Sequence, residues 1–117
     1  ILDAATGQEL ARRPLPYPVF SPPAVEGGQL IVGMGRGDYV RPVDDPAGSV
    51  RCFDLATLSE RWSFPLGATV LGAVAVTEEQ VIVGCCDGHV YLLDRAGRLL
   101  RRERVELTHA QTSRNLP

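Results

Sequence analysis

Apolar residues in this chain fall into short runs separated by Gly, Pro, Asp and Glu rather than into helical stripes. Leu30-Ile31-Val32 and Val81-Ile82-Val83 are β-branched runs bounded by turn residues, the pattern of strands covered on both faces. Ala24-Val25 leads into Glu26-Gly27-Gly28 and Val74-Ala75-Val76 into Thr77-Glu78-Glu79, so each run is preceded by a hairpin turn. Asp87-Gly88 is the strongest short hairpin signal. Val90-Tyr91-Leu92-Leu93-Asp94 follows it as a strand, and Asp94-Arg95-Ala96-Gly97 turns the chain into another, Arg98 to Arg104. No stretch carries a sustained helical period with caps. The pattern predicts short antiparallel strands and almost no helix.

These runs recur. With a shift of 51 (Ile1 placed on Cys52), Asp3, Ala5, Thr6, Glu9, Pro14, Leu15 and Val19 fall on Asp54, Ala56, Thr57, Glu60, Pro65, Leu66 and Val70. The same shift carries Ala24, Val25, Gln29, Ile31, Val32 and Gly33 onto Ala75, Val76, Gln80, Ile82, Val83 and Gly84. Beyond Gly84 the shift falls to 40 (Gly48 placed on Gly88), so the middle copy holds an additional surface loop, Met34 to Ala47, rich in Gly, Pro and Asp. Four short strands per unit at this period describe the blade of a β-propeller. A β-sandwich also uses many short strands but predicts no sequence repeat. The expected fold is all-β: a propeller fragment of about two four-stranded antiparallel blades and the end of a preceding one. Residues 1–17 form the end of that preceding blade, with its last two strands. Residues 18–67 form the first full blade with a long loop at 34–47, residues 68–106 the second, and residues 107–117 a polar tail.

Composition narrows the partners. The formal net charge of −2 gives no electrostatic footprint for nucleic acid. All basic residues are Arg, which reads as compositional bias rather than as a phosphate-binding patch. No apolar run approaches the roughly 20 residues of a membrane-spanning helix. The chain starts inside a repeat, and the reading is that it is a piece of a longer protein.

Leu2-Asp3-Ala4-Ala5-Thr6-Gly7-Gln8-Glu9-Leu10 and Phe53-Asp54-Leu55-Ala56-Thr57-Leu58-Ser59-Glu60-Arg61-Trp62 resemble the blade signature of the pyrroloquinoline-quinone (PQQ) repeat family: apolar, Asp, two small residues, Thr-Gly, then a Trp in the last strand. Gly88-His89-Val90-Tyr91-Leu92-Leu93-Asp94 is similar to the third strand of such a blade. The resemblance implies structural roles for Asp3, Thr6, Gly7, Asp54, Thr57, Trp62, Gly88, Asp94 and Gly97. The Asp and Thr-Gly would shape the turn between third and fourth strands, and the Trp would dock between blades. Ala11 and Arg101 stand at the Trp position in the other copies and Leu58 at the position of Gly7, departures that imply weakened docking or divergence under loose constraint. The family includes quinoprotein dehydrogenases, which oxidise alcohols or sugars with PQQ and a metal ion, usually in the periplasm. It also includes non-catalytic propellers, among them the BamB-type lipoprotein of the outer-membrane β-barrel assembly machinery.

Candidate chemistry is sparse. Adjacent cysteines in quinoprotein alcohol dehydrogenases can form a disulfide over the cofactor, which makes Cys85 and Cys86 the candidate PQQ contacts. Here, however, the pair ends a second strand, and adjacent strand residues point to opposite faces, so two packed thiols are the expectation. His89 reads as a surface turn residue, and it and His109 are too far apart in sequence for a spaced zinc motif. Asp38, Asp44 and Asp45 share the long loop without a calcium-loop spacing. No catalytic or metal-binding residue emerges. The expectation is a non-catalytic binding or scaffold segment of a larger bacterial protein, without cofactor, in the periplasm or envelope. Its partner would be a protein or the remaining blades of the ring, or it would self-associate through open blade faces. The alternative is a piece of a PQQ- and Ca2+-dependent dehydrogenase.

Overall fold

The computed structural model describes residues 2–19, 21–36, 47–70, 72 and 74–105. Eight strands fall into two four-stranded antiparallel sheets, and none of the described residues is helical. The first sheet contains β1 (Ala24–Glu26), β2 (Gln29–Arg36), β3 (Ala47–Asp54) and β4 (Glu60–Leu66) in that order. The second contains β5 (Ala75–Val76), β6 (Gln80–Gly84), β7 (His89–Asp94) and β8 (Leu99–Arg104). Each strand pairs with its sequence neighbour, as in a propeller blade.

The sequence repeat is a repeat of strand register. Gln29 faces Asp54 and Ile31 faces Cys52 in the first sheet; Gln80 faces Asp94 and Ile82 faces Leu92 in the second. Both sheets slip register at one equivalent point of the third strand, between Cys52 and Phe53 and between Leu92 and Leu93. A bulge there turns the strand into the following tight turn.

Two boundaries differ from the sequence reading. Met34, Gly35 and Arg36 continue β2, and Ala47 already belongs to β3, so both strands reach into the expected loop. Met34 and Gly35 pair with Ser49 and Gly48, and the Met34 side chain is fully buried. The intervening residues 37–46, with Asp38, Asp44 and Asp45, lie outside the described residues, as do His109 and the expected tail. Ahead of β1, residues 2–19 carry a single isolated bridge, Leu2 with Glu9, in place of two paired strands.

The main core lies between the sheets. Ile31, Val50, Cys52 and Leu66 of the first meet Val81, Val83, Tyr91 and Leu93 of the second, with Val70 and Val74 from the connecting segment. A smaller core lies on the other side of the first sheet, where Val32, Met34 and Phe53 pack with Leu15, Tyr17 and Leu30. Thus β2 is covered on both faces. β6 is not: Val81 and Val83 are buried, whereas Ile82 between them is 36% exposed. Ile82 occupies the position of the fully buried Ile31.

Candidate functional site

The sequence motif builds three related turns. Asp3 Oδ1 accepts from the backbone N–H of Ala5 and Thr6 at 2.8 and 3.1 Å, and Asp54 Oδ1 from Ala56 and Thr57 at 2.9 and 3.1 Å. The Thr6 and Thr57 hydroxyls accept from Gln8 and Ser59 N–H, so each Asp-to-Thr segment caps its own backbone. Asp94 Oδ1 accepts from Ala96 and Arg98, both at 2.9 Å, in a turn one residue shorter and without the Thr. The Arg61 guanidinium, 2.7 Å away, together with the turn N–H bonds holds the Asp54 carboxyl below its ordinary pKa; Arg98 N–H does the same for Asp94. Each turn closes on a residue with positive φ: Gly7 at 73°, Leu58 at 59° and Gly97 at 86°. Leu58 holds a left-handed conformation that glycine adopts without strain.

That residue is where blades meet. Trp62, half-buried on β4, lays its indole on Gly97 of the next blade's turn, where an added Cβ would come within 2.5 Å of Cδ2. Its Nε1–H donates to Arg95 O at 2.9 Å. Arg95 returns the contact: its guanidinium donates to Gln29 Oε1 at 2.6 Å and Glu26 O at 2.8 Å in the first blade, and to Thr77 O at 2.6 Å in its own. Deeper in, Phe64 and Tyr91 form a tilted aromatic pair with centroids 5.8 Å apart.

The junction on the other side of the first blade uses the opposite size distribution. Ala11 takes the Trp position and Leu58 the Gly position. The Leu58 side chain, 7% exposed, lines one cavity with Ala11. The fit is incomplete, leaving a cavity of about 160 Å3 among Ala11, Leu15, Leu30, Phe53 and Leu58. Arg13 spans it, donating to Leu58 O at 3.2 Å with its guanidinium 5.5 Å from the Phe53 ring centroid.

At the opposite end of the second sheet lies a polar cluster. The Tyr91 hydroxyl donates to Asp87 Oδ2, and Asp87 Oδ1 accepts from His89 N–H at 2.9 Å. Cys85 Sγ donates to Ala68 O at 3.3 Å. Burial and the Asp87 carboxylate push Cys85 up to about 11 and Tyr91 up to about 12. Burial works to raise Asp87 as well, but hydrogen bonds from the Tyr91 hydroxyl and the His89 backbone N–H outweigh it and hold the carboxyl below its ordinary value. At neutral pH the cluster is therefore a thiol, a phenol and a carboxylate locked together. All three cysteines are thiols. Cys85 points inward while Cys86 is exposed, so the two are not a packed pair. His89 is not a surface turn residue either: it begins β7, its side chain is 23% exposed, and its ring stands 6.1 Å from that of Tyr91. Gly88 shapes the hairpin between β6 and β7. Among the described residues, no group of three His, Cys, Asp or Glu side chains is placed to hold a metal ion.

A family model described as outer membrane protein assembly factor BamB matches residues 1–114, almost the whole chain. The chain belongs to this PQQ-like repeat family. In three dimensions it is similar to BamB from Moraxella catarrhalis, with a TM-score of 0.61 and 17% sequence identity over 78% of this chain. That likeness shows the β-propeller fold. The chain spans 25% of the length of that protein. Among curated proteins none matches.

In this BamB-family chain the residue that sequence reasoning passed over is Arg95. It stands where the other turns carry Ala4 and Leu55, a change from small or apolar to charged, and that change was the available signal. The second blade's outer face differs as well. Leu92 and Val90 pair with Arg101 and Glu103, where Cys52 and Val50 pair with Trp62 and Phe64. Arg101 and Glu103 form an ion pair, so this face is less apolar than the repeat alone predicts.

Proposed function

We propose that the chain is a non-catalytic propeller segment: a binding or scaffold platform within a larger bacterial envelope protein, akin to outer-membrane assembly factors or fused to another domain. The observation that carries this reading is where the polar chemistry goes. The Asp turns, Trp62 and Arg95 are spent on shaping and joining blades, and Asp87, the acid nearest the cysteine pair, is held by Tyr91 and the His89 backbone. A platform of this kind works through shape and edge groups, with the remaining blades or a protein partner covering the outer face around Ile82. Self-association through that face is the competing outcome, which sedimentation at several concentrations separates. Periplasmic location accords with the family. Among the described residues no helix is long and apolar enough to cross a membrane.

The dehydrogenase alternative needs PQQ, a calcium ion and a cysteine pair lying over the cofactor. The residues present do not fit that need: Cys85 is engaged with Ala68 O and pushed up to about 11, and Cys86 points elsewhere. Titrating the chain with PQQ and calcium tests the reading. We expect no saturable binding and no alcohol-dependent dye reduction. Micromolar binding abolished by Cys85→Ser with Cys86→Ser would overturn it and restore the enzyme alternative.

A further inference from the structure

The two sides of the first blade carry the same apolar wall but different side chains against it. On the second-blade side, Trp62 and Phe64 bring two aromatic rings to the core. At the repeat positions of those rings the other side has Ala11 and Arg13. The wall itself is kept: Leu15 stands at the position of Leu66, Val32 at that of Val83 and Phe53 at that of Leu93. Two rings are thus missing from the sequence of a site whose lining remains.

The cavity of about 160 Å3 lies among these residues. Its inner wall is sealed, with Val32 7%, Phe53 2% and Leu58 7% exposed. An apolar cavity of roughly 150 Å3 stays dry and takes up a benzene-sized ring. The mouth is charged, because the exposed Arg13 stands there. Its Nη1–H donates to Leu58 O at 3.2 Å, and its guanidinium lies 5.5 Å from the Phe53 ring centroid. A carbonyl and an aromatic face answer part of the charge, and neither is an anion. The guanidinium's planar fork of N–H donors matches a carboxylate.

We propose that this cavity binds a small aromatic monocarboxylate, of the size of benzoate, with its ring between Leu30, Phe53 and Leu58 and its carboxylate on Arg13. The ring answers the volume and the apolar wall. The carboxylate answers the one charge at the mouth, an apolar pocket with a single orienting group being the usual form of a small-molecule site. Nothing in the site depends on the platform reading, since it is built from residues 11–15 and the first blade alone.

Titration of the 15N-labelled 117-residue chain, read by amide chemical shifts, tests it with three probes: sodium benzoate, benzyl alcohol and sodium acetate. Benzoate should give saturable shifts centred on Ala11, Arg13, Leu30 and Leu58, with a Kd of about 1 mM, modest because so few atoms make contact. Benzyl alcohol, which keeps the ring without the charge, should bind at the same amides about tenfold more weakly, and acetate, the charge without the ring, should not saturate. Arg13→Met should bring benzoate down to the level of benzyl alcohol and leave benzyl alcohol binding in place. Ala11→Leu, which adds methyl groups inside the cavity, should weaken both ring probes, with the Gly97 and Trp62 resonances unmoved as the check on folding. No saturable benzoate shift in the unaltered chain would overturn the proposal. So would shifts centred elsewhere, such as on the arginines of β8, equal binding of benzoate and benzyl alcohol, or equal binding of benzoate and acetate.

Discussion

If Trp62 cements the two blades through Gly97, the two positions are energetically coupled. Full burial of an aromatic side chain removes about 150–250 Å2 from water, and half-burial about 100 Å2. At about 25 cal/mol per Å2 the indole then contributes about 2.5 kcal/mol. The bond from Nε1–H to Arg95 O adds about 1 kcal/mol, partly offset because the turn carbonyl rehydrates when released. Trp62→Ala should therefore cost about 2–3 kcal/mol, less than the 3–5 kcal/mol typical of a fully buried Trp. Gly97→Ala meets two penalties: about 1–2 kcal/mol for an L-residue at φ 86°, and displacement of an indole whose Cδ2 lies 2.5 Å from the new Cβ. In the Trp62→Ala background only the first remains. Urea unfolding of the four proteins, followed by far-UV circular dichroism, gives the coupling from the midpoints. We expect about 1–2 kcal/mol, with the double variant more stable than additivity allows. A Trp62→Ala cost below about 0.5 kcal/mol, or strict additivity, would show that the indole does not hold the junction.

At the other junction, Ala11→Trp alone should cost about 1–3 kcal/mol by overpacking against Leu58, and adding Leu58→Gly should recover at least about 1 kcal/mol in thermal or urea unfolding. Arg95→Met, which keeps the apolar stem but loses the donors to Gln29, Glu26 and Thr77, should cost about 1–2 kcal/mol, measured the same way. Cys85 is raised from 9.0 to about 11, so the stability it contributes is complete below pH 9 and is lost as pH rises toward 11. Alkaline melts should accordingly flatten between pH 9 and 10 in Cys85→Ala. Asp87 has the opposite sign: its contribution is present above the ordinary carboxylate pKa and is lost as pH falls through its lowered value. Tyr91→Phe, which removes a donor to Asp87, should shift that acid transition to higher pH.

The register of both sheets was legible because equivalent strand positions keep equivalent cross-strand partners: Gln29 faces Asp54 as Gln80 faces Asp94, and Ile31 faces Cys52 as Ile82 faces Leu92. What escaped depended on neighbours distant in sequence. Met34-Gly35-Arg36 read as the start of a loop from composition, yet they extend β2, with Gly35 lying close under Thr69. Val81-Ile82-Val83 reads as doubly covered, yet Ile82 is exposed because coverage comes from a neighbouring blade, not from the strand. Ala11 and Leu58 read as two separate losses from the motif. Only the fold brings the two to one cavity. Arg95 was hidden by a turn whose composition already explained itself.

The central claim is that this chain forms two blades of one ring, joined where the Trp62 indole lies on Gly97. Nuclear magnetic resonance of the chain tests it at one residue. The account predicts strong nuclear Overhauser contacts between the Trp62 ring protons and the Gly97 Hα pair, with those Hα resonances shifted well upfield by the indole ring current. Gly97 Hα shifts at their random-coil position, with no contact to Trp62, would contradict it.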